Sequence, residues 1–195
     1  EAGARLSTHR LVGMPSLPVA LGGVGISLAD LTMLYVDLAN GGVAAPLVYA
    51  GGAPDTPPRR LMSKTAAWYV GDILAGSSRP DGWGEGIGLT STRTIAFKTG
   101  TSYGFRDAWA VGFSQSYTVG VWVGRADGSP RPGHFGRNTA TPIMLKLFGL
   151  LPNEAPGWRK PPADVRSVRG NYALPPALRH FTLAAEDSAP HRLPP

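Results

Sequence analysis

The chain has 195 residues, 43% of them hydrophobic, with 26 glycines, 19 prolines, no cysteine and a net charge of +6. That length accommodates one sizeable core, and glycine and proline without a period exclude collagen and mark many turns. Lack of cysteine excludes disulfides and thiolate metal sites. Arg59-Arg60 and Arg159-Lys160 are the only adjacent basic pairs, so no phosphate-tracking stripe exists and no nucleic acid partner is expected; the charge reads as solubility.

Glu1-Ala2-Gly3-Ala4-Arg5 has neither an initiator Met nor a signal-like apolar region, so the chain reads as the inside of a longer one. No run approaches the roughly 18 apolar residues of a membrane helix. Gly25-Ile26-Ser27-Leu28-Ala29 partly imitates a nucleophile elbow, but Ala29 replaces the second glycine and Asp30 completes a helix cap on Ser27. Leu31, Leu34, Tyr35 and Leu38 then predict a helix over 28–39, which Asn40-Gly41-Gly42 stops.

Val43 to Tyr49 reads as an extended segment and Gly51 to Pro58 as a loop. Ser63 caps a second helix to about Leu74, with Ala66, Ala67, Val70, Ile73 and Leu74 on one side and Gly76 just beyond it. Gly82 to Gly88 is a glycine-rich connection without a dinucleotide or Walker pattern, and Glu85 within it reads as a solvated carboxylate. Thr92 to Thr99, Ala108 to Phe113 and Tyr117 to Val123 predict three consecutive antiparallel strands, the last two joined through Ser114-Gln115-Ser116. Pro142 suits the first turn of a final apolar helix carrying Ile143, Leu145, Leu147, Phe148 and Leu151, which should pack on the sheet.

Nine prolines fall in the 44 residues after Leu151, so residues 1–151 are expected to form the folded part and 152–195 a proline-rich linker or tail. The predicted fold is α/β of the α+β type, an antiparallel sheet with helices on its faces.

Lys98-Thr99-Gly100-Thr101-Ser102 places one cation, three hydroxyls and a backbone position without a side chain at the end of a strand, a set suited to gripping a carboxylate. Alternation puts Lys98 and Gly100 on one side of the sheet and Thr99 and Thr101 on the other unless the strand twists. His9, His134, His180 and His191 are widely separated and lack ligand spacing, so neither a metal nor another cofactor is expected.

The run from Ala96 to Gly112, continued by Val121-Trp122-Val123-Gly124-Arg125-Ala126-Asp127-Gly128, resembles the third motif and adjoining hairpin of class A penicillin-binding proteins, and most the 1C type. A fainter likeness runs back through Ala20-Leu21-Gly22-Gly23 to Val43. The resemblance implies the C-terminal half of a penicillin-binding transpeptidase domain, a partial serine β-lactamase-like fold. It implies a bifunctional glycosyltransferase and D,D-transpeptidase on the periplasmic side of the inner membrane, with peptidoglycan stem peptides and β-lactams as ligands and an N-terminal membrane anchor outside this chain.

Carried over to matching positions, Lys98 supplies positive potential and joins the proton network, while Thr99, Thr101 and Ser102 bind substrate. Gly100 admits its backbone, and the Thr101 N–H serves as one oxyanion donor. The family's nucleophile and proton relay need Ser-x-x-Lys and Ser-x-Asn, and neither pattern occurs in this sequence. The N-terminal half of the domain is therefore an expected partner, and exposed apolar faces are expected on the first and last helices. Arg106 and Asp107 are read as fixing the hairpin or touching substrate, and Trp109 and Trp122 as sheet-face or core residues.

Overall fold

A computed structural model describes residues 6–7, 23–48, 57–77, 93–169, 174, 176–179 and 190–193. Tyr49, the stretch 51–56, Thr92, Glu85 with its glycine-rich connection, His9 and His180 lie outside the described residues. The chain forms two compact units, Glu1–Arg159 and Lys160–Pro195.

In the first unit β1 (Leu6–Ser7) pairs antiparallel with β2 (Gly25–Ile26), which leads into helix α1 (Leu28–Ala39). Ser27 Oγ accepts the Asp30 N–H at 3.0 Å and donates to Asp30 Oδ2 at 2.7 Å. Its hydroxyl is thus a cap and no nucleophile elbow forms. Past α1, Gly42 has φ of +82°, and a Cβ there would lie 2.7 Å from the Met62 carbonyl. Only glycine makes that bend.

The extended segment is shorter than predicted. Strand β3 (Val43–Ala44), paired with β4 (Arg59–Arg60), stops before Pro46, which has no N–H to continue a ladder.

Helix α2 (Lys64–Ala75) starts on Ser63, whose Oγ accepts the Ala66 N–H at 3.0 Å. It buries Thr65, Ala67, Trp68 and Gly71 and leaves Ile73, on the apolar side that the spacing groups, 71% exposed. The aromatic rings decide this. Trp68 Nε1 donates to the Arg159 carbonyl at 3.1 Å, and a Cβ at Gly71 would meet Phe113 and Trp158, each at 3.3 Å.

Strands β5 (Ala96–Thr101), β6 (Asp107–Phe113) and β7 (Thr118–Gly124) form the central antiparallel sheet in that order. Lys98 stands opposite Val111, Gly100 opposite Trp109, and Trp109 opposite Trp122. One face carries Phe97, Ala108, Ala110 and Val121 into a core with Ala140, Met144, Leu145 and Phe148 of helix α3 (Gly136–Leu150). The other face receives α1, which approaches so closely that a Cβ on Gly120 would lie 2.1 Å from Thr32 Oγ1.

Pro142 lies inside α3, not in its first turn, because the helix begins at Gly136. Gly136-Arg137-Asn138-Thr139 has weak helix propensity, and tertiary contacts at Gly136 override it. Ile143, Leu147 and Leu150 of α3 are 43%, 40% and 82% exposed and share one stripe. Helix α1 exposes no large hydrophobic residue, contrary to expectation; its apolar positions are half-buried through contacts with the central sheet, β3 and α2. None of the described helices is long and apolar enough to cross a membrane.

Two buried charges fasten the end of α3 to the entrance of β5. Arg93 Nε lies 2.9 Å from Glu154 Oε2, with both side chains no more than 5% exposed. The Arg93 guanidinium also donates to the carbonyls of Phe148 and Pro152, and its cation lies over the Tyr117 and Phe148 rings. Phe148 belongs to the last turn of α3, where carbonyls lack intrahelical donors, and Pro152 lies just past the helix end. The first unit thus extends through Arg159, whose guanidinium donates to the Ser114 carbonyl at 3.0 Å.

In the second unit β8 (Arg166–Arg169) pairs antiparallel with β9 (Pro190–Leu193), so part of the proline-rich stretch is regular. Pro190 opens β9, a position where its missing N–H is tolerated.

Glu154→Ala leaves the Arg93 charge buried without its carboxylate and should cost about 3–5 kcal/mol in urea unfolding; an unchanged midpoint would show that water replaces the pair. Asp37 in α1 is 4% exposed, and burial raises its pKa against the opposing hydrogen bond from the Ala45 N–H. The folded state therefore holds this proton more tightly, and stability falls as pH rises from about 3.8 through the raised value. Asp37→Asn should remove that loss, with the two proteins converging in acid. A pH series of melting temperatures checks it.

Candidate active site

Strand β5 is an edge strand of the central sheet, with β6 as its only strand neighbour among the described residues. The Ser102 N–H donates to the Asp107 carbonyl at 3.0 Å. By alternation the N–H groups of Gly100 and Lys98 also point toward β6, while those of Thr99 and Thr101 point to the open edge. Two carbonyls on that edge are already engaged: Phe97 O accepts from Ser77 Oγ at 3.2 Å, and Thr99 O accepts from Lys98 Nζ at 2.8 Å. Lys98 therefore wraps its ammonium around to the edge.

Alternation also separates the side chains as the sequence implies. Lys98 and Gly100 share a face with Trp109 and Val111, whereas Thr101 turns toward the start of α3. There its Oγ1 accepts the Gly136 N–H at 3.0 Å. Phe135, the residue before α3, offers no capping side chain, so the β5 hydroxyl performs that task from another element. With its lone pair so engaged, the Thr101 hydroxyl keeps its proton to donate.

Gly136 fits here because it has no side chain. A Cβ would lie 2.3 Å from the Gly100 carbonyl and 2.6 Å from the Trp109 carbonyl.

Beyond Thr101 the chain turns tightly. Ser102 Oγ accepts the Asp107 N–H at 2.9 Å, and Asp107 Oδ1 accepts the Trp122 indole N–H at 2.9 Å. Asp107 thus fixes the hairpin. Ser102, predicted to bind substrate, has its hydroxyl oxygen in the turn.

The open edge borders a cleft of about 720 Å³. Lys98 to Tyr103 form one wall, Asp107, Trp109 and Val111 the floor, and Leu31, Tyr35 and the segment Gly23 to Ile26 the far side. Burial raises the Tyr35 phenol above its ordinary pKa, keeping it neutral. All predicted site residues, Lys98, Thr99, Gly100, Thr101 and Ser102, line this one cleft. Gly136, Trp109, Tyr35 and Tyr103 were not among them. The close glycine contact and the cross-strand register that bring these residues in are tertiary facts, and periodicity in β6 would at most have put Trp109 on the Gly100 face.

No family model matches the chain. It is 36% identical over 163 residues to penicillin-binding protein 1C of Escherichia coli strain K12, covering 83% of this chain and 20% of that protein. Penicillin-binding protein 1A of Clostridium tetani is 31% identical over 96 residues, 49% of this chain and 12% of that protein. Penicillin-binding protein 1A of Haemophilus influenzae superposes with a TM-score of 0.64 at 14% identity, covering 92% of this chain and 33% of that one.

The chain belongs to the penicillin-binding protein family. Penicillin-binding protein PonA1 of Mycobacterium tuberculosis shares the fold, with a TM-score of 0.60 at 24% identity over 80% of this chain and 46% of that one. The sheet with helices on both faces is that of penicillin-binding transpeptidase domains. This chain spans about a fifth or less of the curated relatives' length.

Gly136→Ala should push α3 off β5, because backbone carbonyls cannot swing aside, and cost about 1–3 kcal/mol. Thr101→Val should lose about 1 kcal/mol through the uncapped Gly136 N–H, and Thr101→Ser should restore it. Thermal unfolding reads all three; equal stability of Thr101→Val and Thr101→Ser would dismiss the cross-element cap.

Proposed function

We propose that this chain contributes the substrate strand of a serine-type D,D-transpeptidase that crosslinks peptidoglycan stem peptides and is acylated by β-lactams. The observation that carries this reading is the open edge of β5, where the Thr99 and Thr101 N–H groups and the Lys98 ammonium border one cleft while Gly136 holds the Thr101 hydroxyl on the α3 side of the strand. An extended peptide can add there as a further strand, and Gly100 presents no side chain toward the cleft.

The reaction divides between what this chain holds and what it lacks. Lys98 supplies positive potential toward the ligand's terminal carboxylate and enters the proton relay, while the Thr99 and Thr101 hydroxyls donate to that carboxylate. As the attacked carbonyl becomes tetrahedral, the Thr101 N–H donates to its oxyanion; one such donor is typically worth about 10²–10³ in rate. The nucleophilic serine and the second oxyanion donor come from the N-terminal half of the domain, carrying Ser-x-x-Lys and Ser-x-Asn. The whole protein on this reading is a bifunctional glycosyltransferase and transpeptidase, anchored in the inner membrane and acting in the periplasm.

A second reading, a non-catalytic binding segment, is favoured by the absence of both serine motifs from these 195 residues. Loss of a catalytic serine removes on the order of 10⁶ in turnover.

Fluorescent-penicillin labelling separates the two. The chain alone should not be labelled; mixed with the N-terminal half it should be part of a complex labelled on the other polypeptide, with Lys98→Ala slowing labelling by about 10²-fold. No labelling in the mixture leaves the binding segment, and labelling of this chain itself would refute the divided site.

A further inference from the structure

Trp122 is held as a core residue is held, and yet it stands at the surface. Its indole N–H donates to Asp107 Oδ1 at 2.9 Å, and its ring centroid lies 6.3 Å from that of Trp109. The edge of the ring passes over Gly124, where a Cβ would lie 2.8 Å from the indole Cε2. Gly124 does not lie in the left-handed region, so its lack of a side chain seats the ring and serves no unusual backbone angle. Three contacts thus fix the indole, and 37% of the residue remains exposed.

Tryptophan is highly buried on average, and a partly exposed ring with its N–H satisfied is the form it takes at binding surfaces. A ring already fixed loses little conformational freedom when a ligand covers it. Gly100, Trp109 and Trp122 stand opposite one another in a row across the sheet, so Trp122 lies two strand spacings, about 10 Å, from β5. Trp109 lines the cleft, and Trp122 lies outside it.

Beyond Gly124 the chain enters an exposed turn, closed by the Gly128 N–H donating to the Arg125 carbonyl at 2.9 Å. The Arg125 guanidinium donates to Ser129 Oγ at 3.1 Å, and Asp127 Oδ1 accepts the Ser129 N–H at 2.9 Å. That backbone bond holds the Asp127 carboxyl below the usual carboxylate range, so it stays ionised. A donor and an acceptor, both pinned through Ser129, thus follow directly on an aromatic platform. A pyranose matches this pattern. Its ring faces carry C–H groups that are attracted to the negative face of an indole, and the hydroxyls at its rim both donate and accept. An anionic ligand would be repelled by Asp127, and a wholly apolar one would strip water from both charges without replacing it.

We infer that Trp122 is the stacking platform of a carbohydrate subsite, separate from the β5 cleft, that takes a pyranose ring of a glycan while Arg125 and Asp127 meet its hydroxyls. The choice of an N-acetylhexosamine glycan rests on the proposed peptidoglycan substrate; the platform rests on the contacts of Trp122.

The probe is chitotetraose, a short oligomer of N-acetylglucosamine that carries no peptide, titrated into the nitrogen-15-labelled 195-residue chain. The 5 tryptophans give separate indole N–H signals, and the one lost in Trp122→Phe is its own. That signal should move saturably and further than any other. Arg125→Ala and Asp127→Ala should each weaken binding about 3- to 10-fold, whereas Arg59→Ala on β4 should not change it. All three side chains are exposed, so their removal leaves the packing intact.

A Trp122 signal that stays still, binding indifferent to both Arg125→Ala and Asp127→Ala, or a shift centred on Trp109 overturns the subsite. Each of these outcomes leaves the substrate-strand reading standing, because the failure of that reading is read from penicillin labelling of the mixed halves.

Discussion

The contact on which the site depends is the meeting of Gly136 with β5. A helix ordinarily starts on its own capping residue, yet α3 starts on a hydroxyl borrowed from Thr101, at a distance only a glycine allows. On the proposed function the same atoms serve packing and chemistry. The helix N-terminus orients the Thr101 hydroxyl, and the hydroxyl sets where the helix begins. Neither can shift without the other.

Around that contact the sheet has two unlike faces. Toward α3 it is a dry core of Phe97, Ala108, Ala110 and Val121 against Met144, Leu145 and Phe148. Toward α1 the packing closes at Gly120 near one end of the sheet and opens into the cleft near the other. Close packing on the first face gives β5 a fixed shape, and incomplete packing on the second gives a ligand room beside it. Asp107 and Trp122 tie the hairpin at the open end.

Much of this was legible in the sequence because local chemistry and tertiary structure agree there. Ser27 with Asp30 and Ser63 before its helix are caps whose partners lie within three residues, and both helices start as predicted. The three strands follow from β-branched and aromatic runs, and the Lys98 to Ser102 residues border one cleft although alternation divides their side chains between two faces. The misreadings share a cause. The start of α3 depends on Gly100 and Trp109, the buried face of α2 on Phe113 and Trp158, and the cover over α1 on the sheet it meets. Each is set by residues tens of positions away, which no local period encodes.

The pair of Arg93 and Glu154 bears on where the domain can be trimmed. The composition changes at Pro152, and a protein cut there would retain helices α1 to α3 and all three strands of the central sheet. It would lack Glu154, and with it the countercharge for a guanidinium buried beside the last turn of α3. It would also lack Trp158 and Arg159, which hold α2 and the turn after β6. The first unit therefore ends at Arg159, several residues past α3, and the short segment between is a latch and not a spacer.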